Sequence, residues 1–163
     1  MLLSIFLKYI ASFGVGIQES VFRYSIGTYI KSLAQGQDII MLEPAGWIPY
    51  PTNLVVIDEV GLISKDFFNF LANKKPNESI AKYWKIKKPE FLIQRSHIFD
   101  LKDSLGNKIT KEEYLWFNEN YKLIKKFDYE DYIKSEKSNL KRNIMKISRS
   151  TNYYVFRKKG LYK

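Results

Sequence analysis

Carboxylates follow two short apolar runs of the chain. Ile39–Leu42 (IIML) is followed by Glu43, and residues 54–57 (LVVI) are followed by Asp58 and Glu59. Short aliphatic runs bounded by turn-forming residues are typical of buried strands. In an open α/β sheet the carboxyl ends of such strands are where ligands usually bind. Two acidic side chains that converge on one cleft could perform general acid–base chemistry, but the same side chains could equally cap helices or turns.

The loop between these runs contains two large aromatic residues. Trp47 and Tyr50 lie among glycine and proline in the segment EPAGWIPYPT. Their rings could stack on a sugar or lie against a lipid headgroup, whereas half-buried packing is the commoner role of large amphipathic rings. The chain contains neither a GxGxxG nor a GxxxxGK[ST] motif. The sequence therefore predicts no dinucleotide or P-loop site and no cofactor.

The composition excludes some kinds of site and favours one kind of partner. With no cysteine and a single histidine, His97, we expect no metal site. The 27 Lys and Arg residues exceed the 17 Asp and Glu residues, which gives a net charge of +10 and favours an anionic partner. Nucleic acid, a phosphorylated lipid and a membrane surface all fit this charge. Nucleic acid is disfavoured because no RNP, helix-turn-helix or zinc-finger pattern accompanies the basic C-terminal part.

Helical and strand patterns alternate through most of the chain. Alternation of this kind is typical of parallel strands joined by helical crossovers. Two later runs, Tyr121–Phe127 and residues 153–157, alternate apolar and polar residues and predict an antiparallel pair at one edge of the sheet. Between them, residues 129–150 are interpreted as a long insertion or a weak helix. The other predicted elements are a third buried strand at 90–94 and helices at 19–33, 65–73, 78–85 and 110–118.

These elements predict an α/β fold with an open mixed, mainly parallel sheet flanked by helices. The sheet has an antiparallel edge at its C-terminal end, and a hydrophobic helix precedes it. A chain of 163 residues suits one domain with a substantial core, so residues 18–163 are expected to form a single α/β soluble domain.

Residues 1–17 (MLLSIFLKYIASFGVGI) are mostly apolar and form the predicted hydrophobic helix. They are fewer than the roughly 20 residues that a membrane span needs. Three interpretations stay open: the remnant of a transmembrane helix whose beginning is missing from this chain, a buried or interfacial helix, and a signal peptide. Lys8 lies inside the apolar run rather than before it, which counts against the signal peptide.

The central part of the chain resembles a family of membrane enzymes. Residues 42–50 (LEPAGWIPY) and 56–63 (VIDEVGLI) are similar to the C-terminal soluble domain of multi-spanning bacterial glycosyltransferases of the GT-C type. This group includes enzymes like the dolichyl-phosphate-mannose protein mannosyltransferases and the aminoarabinose transferases. Similarity of lower specificity extends over residues 19–158. Pro49 and Pro51 depart from the family pattern, which often has Gly and Tyr there.

The resemblance implies a function outside the cytoplasm. The chain would be an extracytoplasmic accessory or substrate-binding domain of a membrane glycosyltransferase that uses a polyprenyl-phosphate sugar donor. In that family the catalytic acid lies in the membrane part, so the resemblance assigns no catalytic residue to this chain. The implied partners are the membrane or a membrane-embedded glycosyltransferase part, together with a lipid-phosphate sugar. The implied substrate-binding residues are Glu43, Trp47, Tyr50, Asp58 and Glu59.

Two alternatives remain open. One is a stand-alone basic α/β module that binds a polyanion, nucleic acid or anionic lipid, through the C-terminal lysines and arginines. The other is a soluble α/β enzyme that uses Glu43 together with Asp58 or Glu59. The membrane interpretation predicts that residues 1–17 associate with lipid. The polyanion-binding module predicts salt-sensitive binding. The soluble enzyme predicts turnover that Asp58→Asn abolishes.

Overall fold

Helices cover both faces of one mixed sheet. The computed structural model describes residues 8, 12–43, 46–61, 63–147 and 151–160. The helices are α1 (Tyr24–Leu33), preceded by a π-helical segment at Gln18–Arg23, α2 (Lys65–Asn73), α3 (Ala81–Lys87), α4 (Lys111–Asn120), α5 (Tyr129–Ser135) and α6 (Asn139–Ile147), with a 3₁₀ helix at Ser96–Asp100. The strands are β1 (Ile39–Leu42), β2 (Val55–Asp58), β3 (Phe91–Gln94), β4 (Tyr121–Phe127) and β5 (Tyr153–Lys158).

The five strands are ordered β2-β1-β3-β5-β4. β1 pairs in parallel with β2 and with β3, so that Leu42 is the partner of both Asp58 and Ile93. β5 runs antiparallel to β3 and to β4. The sheet is therefore parallel at one end and antiparallel at the other, which confirms the mixed α/β class and the antiparallel pair of C-terminal strands.

Each central strand sends alternate side chains into two different cores. On one face, Ile40 and Leu42 pack with Ile26 and Ile30 of α1 and with side chains of α5 and α6. On the other face, Met41 packs with side chains of α2, α3 and α4. Because both faces of β1 and β3 are covered, their sequences are continuously apolar rather than alternating.

The parallel pair β1–β2 is joined by a loop that crosses α1. The twelve residues 43–54 contain turns and no helix in their described part. A Cβ atom on Gly27 would overlap the carbonyl oxygen of Ile48 and lie 2.7 Å from Cγ of Pro51. The loop backbone therefore rests directly on the helix, an approach that glycine permits. The two strands are thus joined by a loop, as the sequence predicts, and α1 supplies the surface that the loop crosses.

The two edge strands are protected in different ways. On β2, the Ser64 hydroxyl accepts a hydrogen bond from the backbone N–H of Asp58 at 2.8 Å and donates to the Val56 carbonyl at 3.4 Å. Ser64 stands at the N-cap position of α2, yet its side chain makes no capping bond within the described part of the chain. β4 instead carries exposed lysines, Lys122 and Lys125 among them. Charged side chains on an edge strand discourage pairing with another chain.

Most predicted elements lie within a few residues of their predicted bounds. The strand at Ile39–Leu42 and the helix at Lys65–Asn73 are unchanged. The second strand is displaced by one residue to Val55–Asp58, so Asp58 ends the strand instead of following it. The segment that was interpreted as an insertion or a weak helix forms α5 and α6, and Met145 of α6 is buried in the core.

The first helix is oriented antiparallel to β1. Its C-terminal end lies where the parallel strands begin, because Arg157, the partner of Phe91 in the sheet, donates to the Leu33 carbonyl at 3.3 Å. Its N-terminal end lies where those strands end, because Phe22 packs on Tyr153 with ring centroids 6.2 Å apart. We call this side of the sheet the carboxyl edge and define it by residues 43, 58–59 and 94–95.

The N-terminal part of the helix lies at or beyond the carboxyl edge. Residues 12–17 are helical and lead through Gln18–Arg23 into α1. At 1.5 Å per residue, residues 12–23 extend over roughly 18 Å. The rest of the predicted hydrophobic helix at 1–17, except Lys8, lies outside the described residues. No helix in the described ranges is both long enough and apolar enough to cross a membrane.

Replacing Gly27 by alanine tests the contact between the loop and α1. In an unobstructed helix this change stabilises by up to about 1 kcal/mol. At position 27 the added methyl group overlaps the Ile48 carbonyl, so we expect Gly27→Ala to lower the free energy of unfolding by about 1–3 kcal/mol. Denaturant titration measures the change. Gly16→Ala is the control, since its Cβ meets no described atom within 4 Å. Stabilisation by both substitutions would contradict the contact.

Candidate functional site

The ends of the three parallel strands meet at the carboxyl edge. The backbone N–H of Glu59 donates to the Leu42 carbonyl at 3.0 Å, which places the residues after β1 and β2 side by side. Gln94 ends β3 next to them, and Arg95 follows it directly. The three carboxylates singled out in the sequence therefore start from neighbouring backbone positions, but their side chains have different surroundings.

Glu43 is the carboxylate that stays near the surface. Its Oε1 lies 3.7 Å from Nη2 of Arg95, and both side chains are partly exposed, at 20% and 29%. This separation is short enough for an ion pair but too long for a hydrogen bond. The Arg95 guanidinium therefore retains the capacity to donate to another anionic oxygen.

Asp58 shapes the turn that follows β2. Its Oδ1 accepts a hydrogen bond from the backbone N–H of Val60 at 3.1 Å, and its carbonyl accepts one from Gly61 at 2.9 Å. Gly61 has a φ of +82°, the left-handed conformation that glycine adopts without strain. The side chain of Asp58 is 2% exposed, so the predicted substrate-binding carboxylate is a buried part of a turn.

Glu59 is fully buried beneath the carboxyl edge. Its Oε1 accepts hydrogen bonds from Nε1 of Trp84 at 2.9 Å and from Nε2 of Gln94 at 2.8 Å. Its Oε2 has no hydrogen-bond partner in the part of the chain that the structure describes. Burial raises the pKa of Glu59 to about 7, while Ser104, Gln94 and Trp84 oppose the shift and the negative charge of Glu43 adds to it.

Trp47 and Tyr50 stand on the loop that crosses α1. Trp47 is 42% exposed and Tyr50 is 72% exposed, and their ring centroids are 5.6 Å apart. Tyr50 also lies 6.5 Å from the ring of Tyr24 on α1. Gly46, Trp47 and Tyr50 line a shallow, largely apolar cavity of about 250 Å³. Both aromatic residues are therefore accessible from solvent, as a stacking role requires.

Two arginines and a tyrosine belong to the same edge, although no motif in the sequence identified them as site residues. Arg23 forms an ion pair with Glu19, and its guanidinium lies 5.6 Å from the ring centroid of Tyr153. Burial raises the pKa of Tyr153, and the positive charges of Arg23 and Arg95 oppose the shift. The Nε atoms of Arg23 and Arg95 are buried without a hydrogen-bond partner among the described residues. Arg95 follows a buried strand directly, so the rule that selected the carboxylates could also have selected it.

A polar cavity of about 470 Å³ opens beside these residues, at the antiparallel end of the sheet. Asp128 is already engaged there, because it caps α5 and its Oδ2 accepts from the Asn152 amide at 3.2 Å. The cavity is lined by Ser96, Asp128, Glu130, Thr151 and Asn152.

The described residues contain no group of three or more His, Asp or Glu side chains that could hold a metal ion. His97 follows β3 and is partly buried, and its pKa is lowered by burial and by the nearby charge of Arg95. Paired-carboxylate chemistry would require two acids open to one cleft. Glu43 is ion-paired with Arg95, Asp58 is buried in a turn, and Glu59 is fully buried. The edge is therefore better suited to binding than to acid–base catalysis.

The architecture defines a three-layer α/β domain whose carboxyl edge combines arginine, carboxylate and aromatic side chains. The chain belongs to the family described as a domain of unknown function (DUF8728), whose family model matches residues 15–156. No match is found among curated proteins or among solved structures.

The buried Glu59 carboxyl predicts a pH-dependent stability. Its pKa is higher in the folded chain, about 7, than its ordinary value of 4.5. The neutral form therefore stabilises the fold fully below pH 4.5, and this contribution is lost as the pH rises through about 7. The loss is on the order of 3 kcal/mol.

We expect Glu59→Gln to remove this dependence when the free energy of unfolding is measured from pH 5 to pH 8. Glu119→Gln, at an exposed position on α4, should retain the slope of the native chain. A native chain whose stability does not fall over this interval would refute a neutral buried Glu59.

Proposed function

We propose that the chain is an extracytoplasmic accessory or substrate-binding domain of a membrane glycosyltransferase that uses a polyprenyl-phosphate sugar donor. In this proposal the domain is not catalytic alone, and residues 1–17 form a hydrophobic helix that associates with the membrane. The resemblance of residues 42–50 and 56–63 to the GT-C group supplies the activity. The observation that carries the proposal in the structure is the direction of the first helix.

The helix direction supports a membrane on the side of the candidate site. Residues 12–23 lie at or beyond the carboxyl edge, so the described part of this helix extends from the sheet on that side. Glu43, Trp47, Tyr50 and Arg95 are found at the same edge. A membrane-bound substrate would therefore approach the side chains that are exposed and chemically suited to it.

The exposed groups at the edge match the two parts of a sugar-phosphate headgroup. The open rings of Trp47 and Tyr50 offer faces on which a sugar can stack. The Arg95 side chain is 29% exposed, and its ion-pair contact with Glu43 is 3.7 Å long, so its guanidinium can also donate to a phosphate. Asp58 and Glu59 act beneath the surface in this proposal: they fix the turn and the strand end.

The polyanion alternative finds less support, because several C-terminal basic groups are already engaged. Arg142 donates two hydrogen bonds to the Glu136 carbonyl, at 3.2 and 2.8 Å. Lys126 forms an ion pair with Asp128 at 2.6 Å, and Lys134 forms one with Asp131 at 3.4 Å. The positions of these three basic side chains are therefore set by contacts within the domain.

A lipid-dependent thermal shift tests the proposal. The full chain is reconstituted with phosphatidylcholine vesicles that contain a few mole per cent of undecaprenyl phosphate or of phosphatidylglycerol. We expect undecaprenyl phosphate to raise the unfolding temperature by about 2–4 °C relative to phosphatidylglycerol, the shift that ~1 kcal/mol of ligand stabilisation produces in a domain of this size. Arg95→Gln should abolish the difference between the two lipids.

Lys141→Gln is the matched control, because Lys141 is exposed on α6 and outside the carboxyl edge. It should leave the difference between the lipids unchanged. Equal shifts with both lipids, reduced by Lys141→Gln, would instead support the polyanion module. The absence of a shift with either lipid would refute the proposed function.

A further inference from the structure

Large apolar side chains stand exposed around the carboxyl edge. Tyr50 is 72% exposed on the first loop, and Val60 is 39% exposed on the turn after β2. Scattered exposed apolar residues are normal, whereas a group of them on one side of a domain marks an interaction surface. We call this group the apolar rim; it consists of Phe13, Val21, Trp47, Tyr50 and Val60.

Strand pairing and backbone hydrogen bonds position the segments that carry the apolar rim. The loop and the turn leave adjacent parallel strands, at the paired residues Leu42 and Asp58. Hydrogen bonds from Val60 to the Asp58 side chain and from Gly61 to its carbonyl fix the turn that presents Val60. Ser64 fastens the other end of the turn to β2. Three separate segments therefore present apolar side chains on one side of the sheet.

Charged groups share the carboxyl edge with these apolar side chains. The Glu43–Arg95 and Glu19–Arg23 ion pairs occupy the same edge. A typical protein interface has a continuous apolar centre from which charges are depleted. The boundary of a lipid bilayer accepts both kinds of group, because headgroups meet the charges while the apolar tips reach the acyl chains. Tyrosine and tryptophan are enriched at that boundary for the same reason.

We propose that the apolar rim inserts into the headgroup–acyl boundary of a lipid bilayer, so that the carboxyl edge lies flat against the membrane. Insertion of apolar side chains at this boundary reaches a depth of about 5–10 Å. The occupant is favoured by the mostly apolar sequence of residues 1–17, which includes Phe13 and precedes Val21 in the chain. This inference deepens the proposed function and rests on its membrane placement.

Site-specific fluorescence tests the inference, because the chain has no cysteine and accepts a single one as a label site. The full chain is prepared as Val60→Cys and as Val55→Cys, each labelled with an environment-sensitive fluorophore. Val55 is a matched control: it is an exposed valine at the first position of β2, at the opposite end of the strand from the carboxyl edge. Neutral phosphatidylcholine vesicles with brominated acyl chains serve as the quencher.

We expect the label at position 60 to be quenched several-fold more strongly than the label at position 55. Tyr50→Cys and Leu140→Cys, both 72% exposed in the native chain, form a second pair with the same expected order. Circular dichroism verifies that each variant is folded.

Three results would overturn the inference. The first is equal quenching of the labels at the paired positions, and the second is no quenching of the rim labels although the chain co-floats with the vesicles. The third is a chain that does not associate with the vesicles at all. Because these vesicles contain no polyprenyl phosphate, the outcome is independent of the Arg95 experiment. A rim that inserts without a polyprenyl-phosphate shift would leave the membrane contact standing and refute the proposed substrate.

Discussion

The contact between the loop and the first helix is the constraint on which the edge of this domain depends. At Gly27 the absence of a side chain allows the carbonyl of Ile48 to rest on the helix backbone. Glycine costs about 1 kcal/mol of helix stability, whereas burying an isoleucine such as Ile48 contributes about 1.5–3 kcal/mol. The contact is therefore favourable overall. It joins α1, β1 and β2 into one unit and holds Trp47 and Tyr50 where the strands end.

The sequence predicted the elements well because their signals are local. Apolar periodicity located the helices and strands within a few residues, and the strand-end rule placed Glu43 and Glu59 at one edge. The fate of each carboxylate depended on distant partners: Trp84 and Gln94 bond Glu59 from 25 and 35 residues away. The role of Gly27 could not be predicted either. A glycine inside a helical pattern indicates only a loss of helix stability and does not identify the segment that packs against it.

The candidate site combines exposed and buried polar groups with different roles. Arg95, Trp47 and Tyr50 are accessible and can contact a ligand, whereas Asp58, Glu59 and Gln94 support the backbone beneath them. Membership of the DUF8728 family defines the domain without assigning an activity. The resemblance to membrane glycosyltransferases suggests the chemistry of the ligand, and the direction of the first helix suggests the side from which it arrives. Both proposals therefore concern one surface and can be tested separately.

The strand order also has a consequence for how the chain is made. β5 is the last strand in sequence, yet it lies between β3 and β4. β4 pairs only with β5 among the described strands, so the antiparallel half of the sheet cannot close until residues 153–158 have been synthesised. Until then β3 has an open edge, and such edges recruit other chains. A nascent chain interrupted before Tyr153 would therefore expose an unpaired apolar strand, which makes the six residues of β5 decisive for its escape from aggregation.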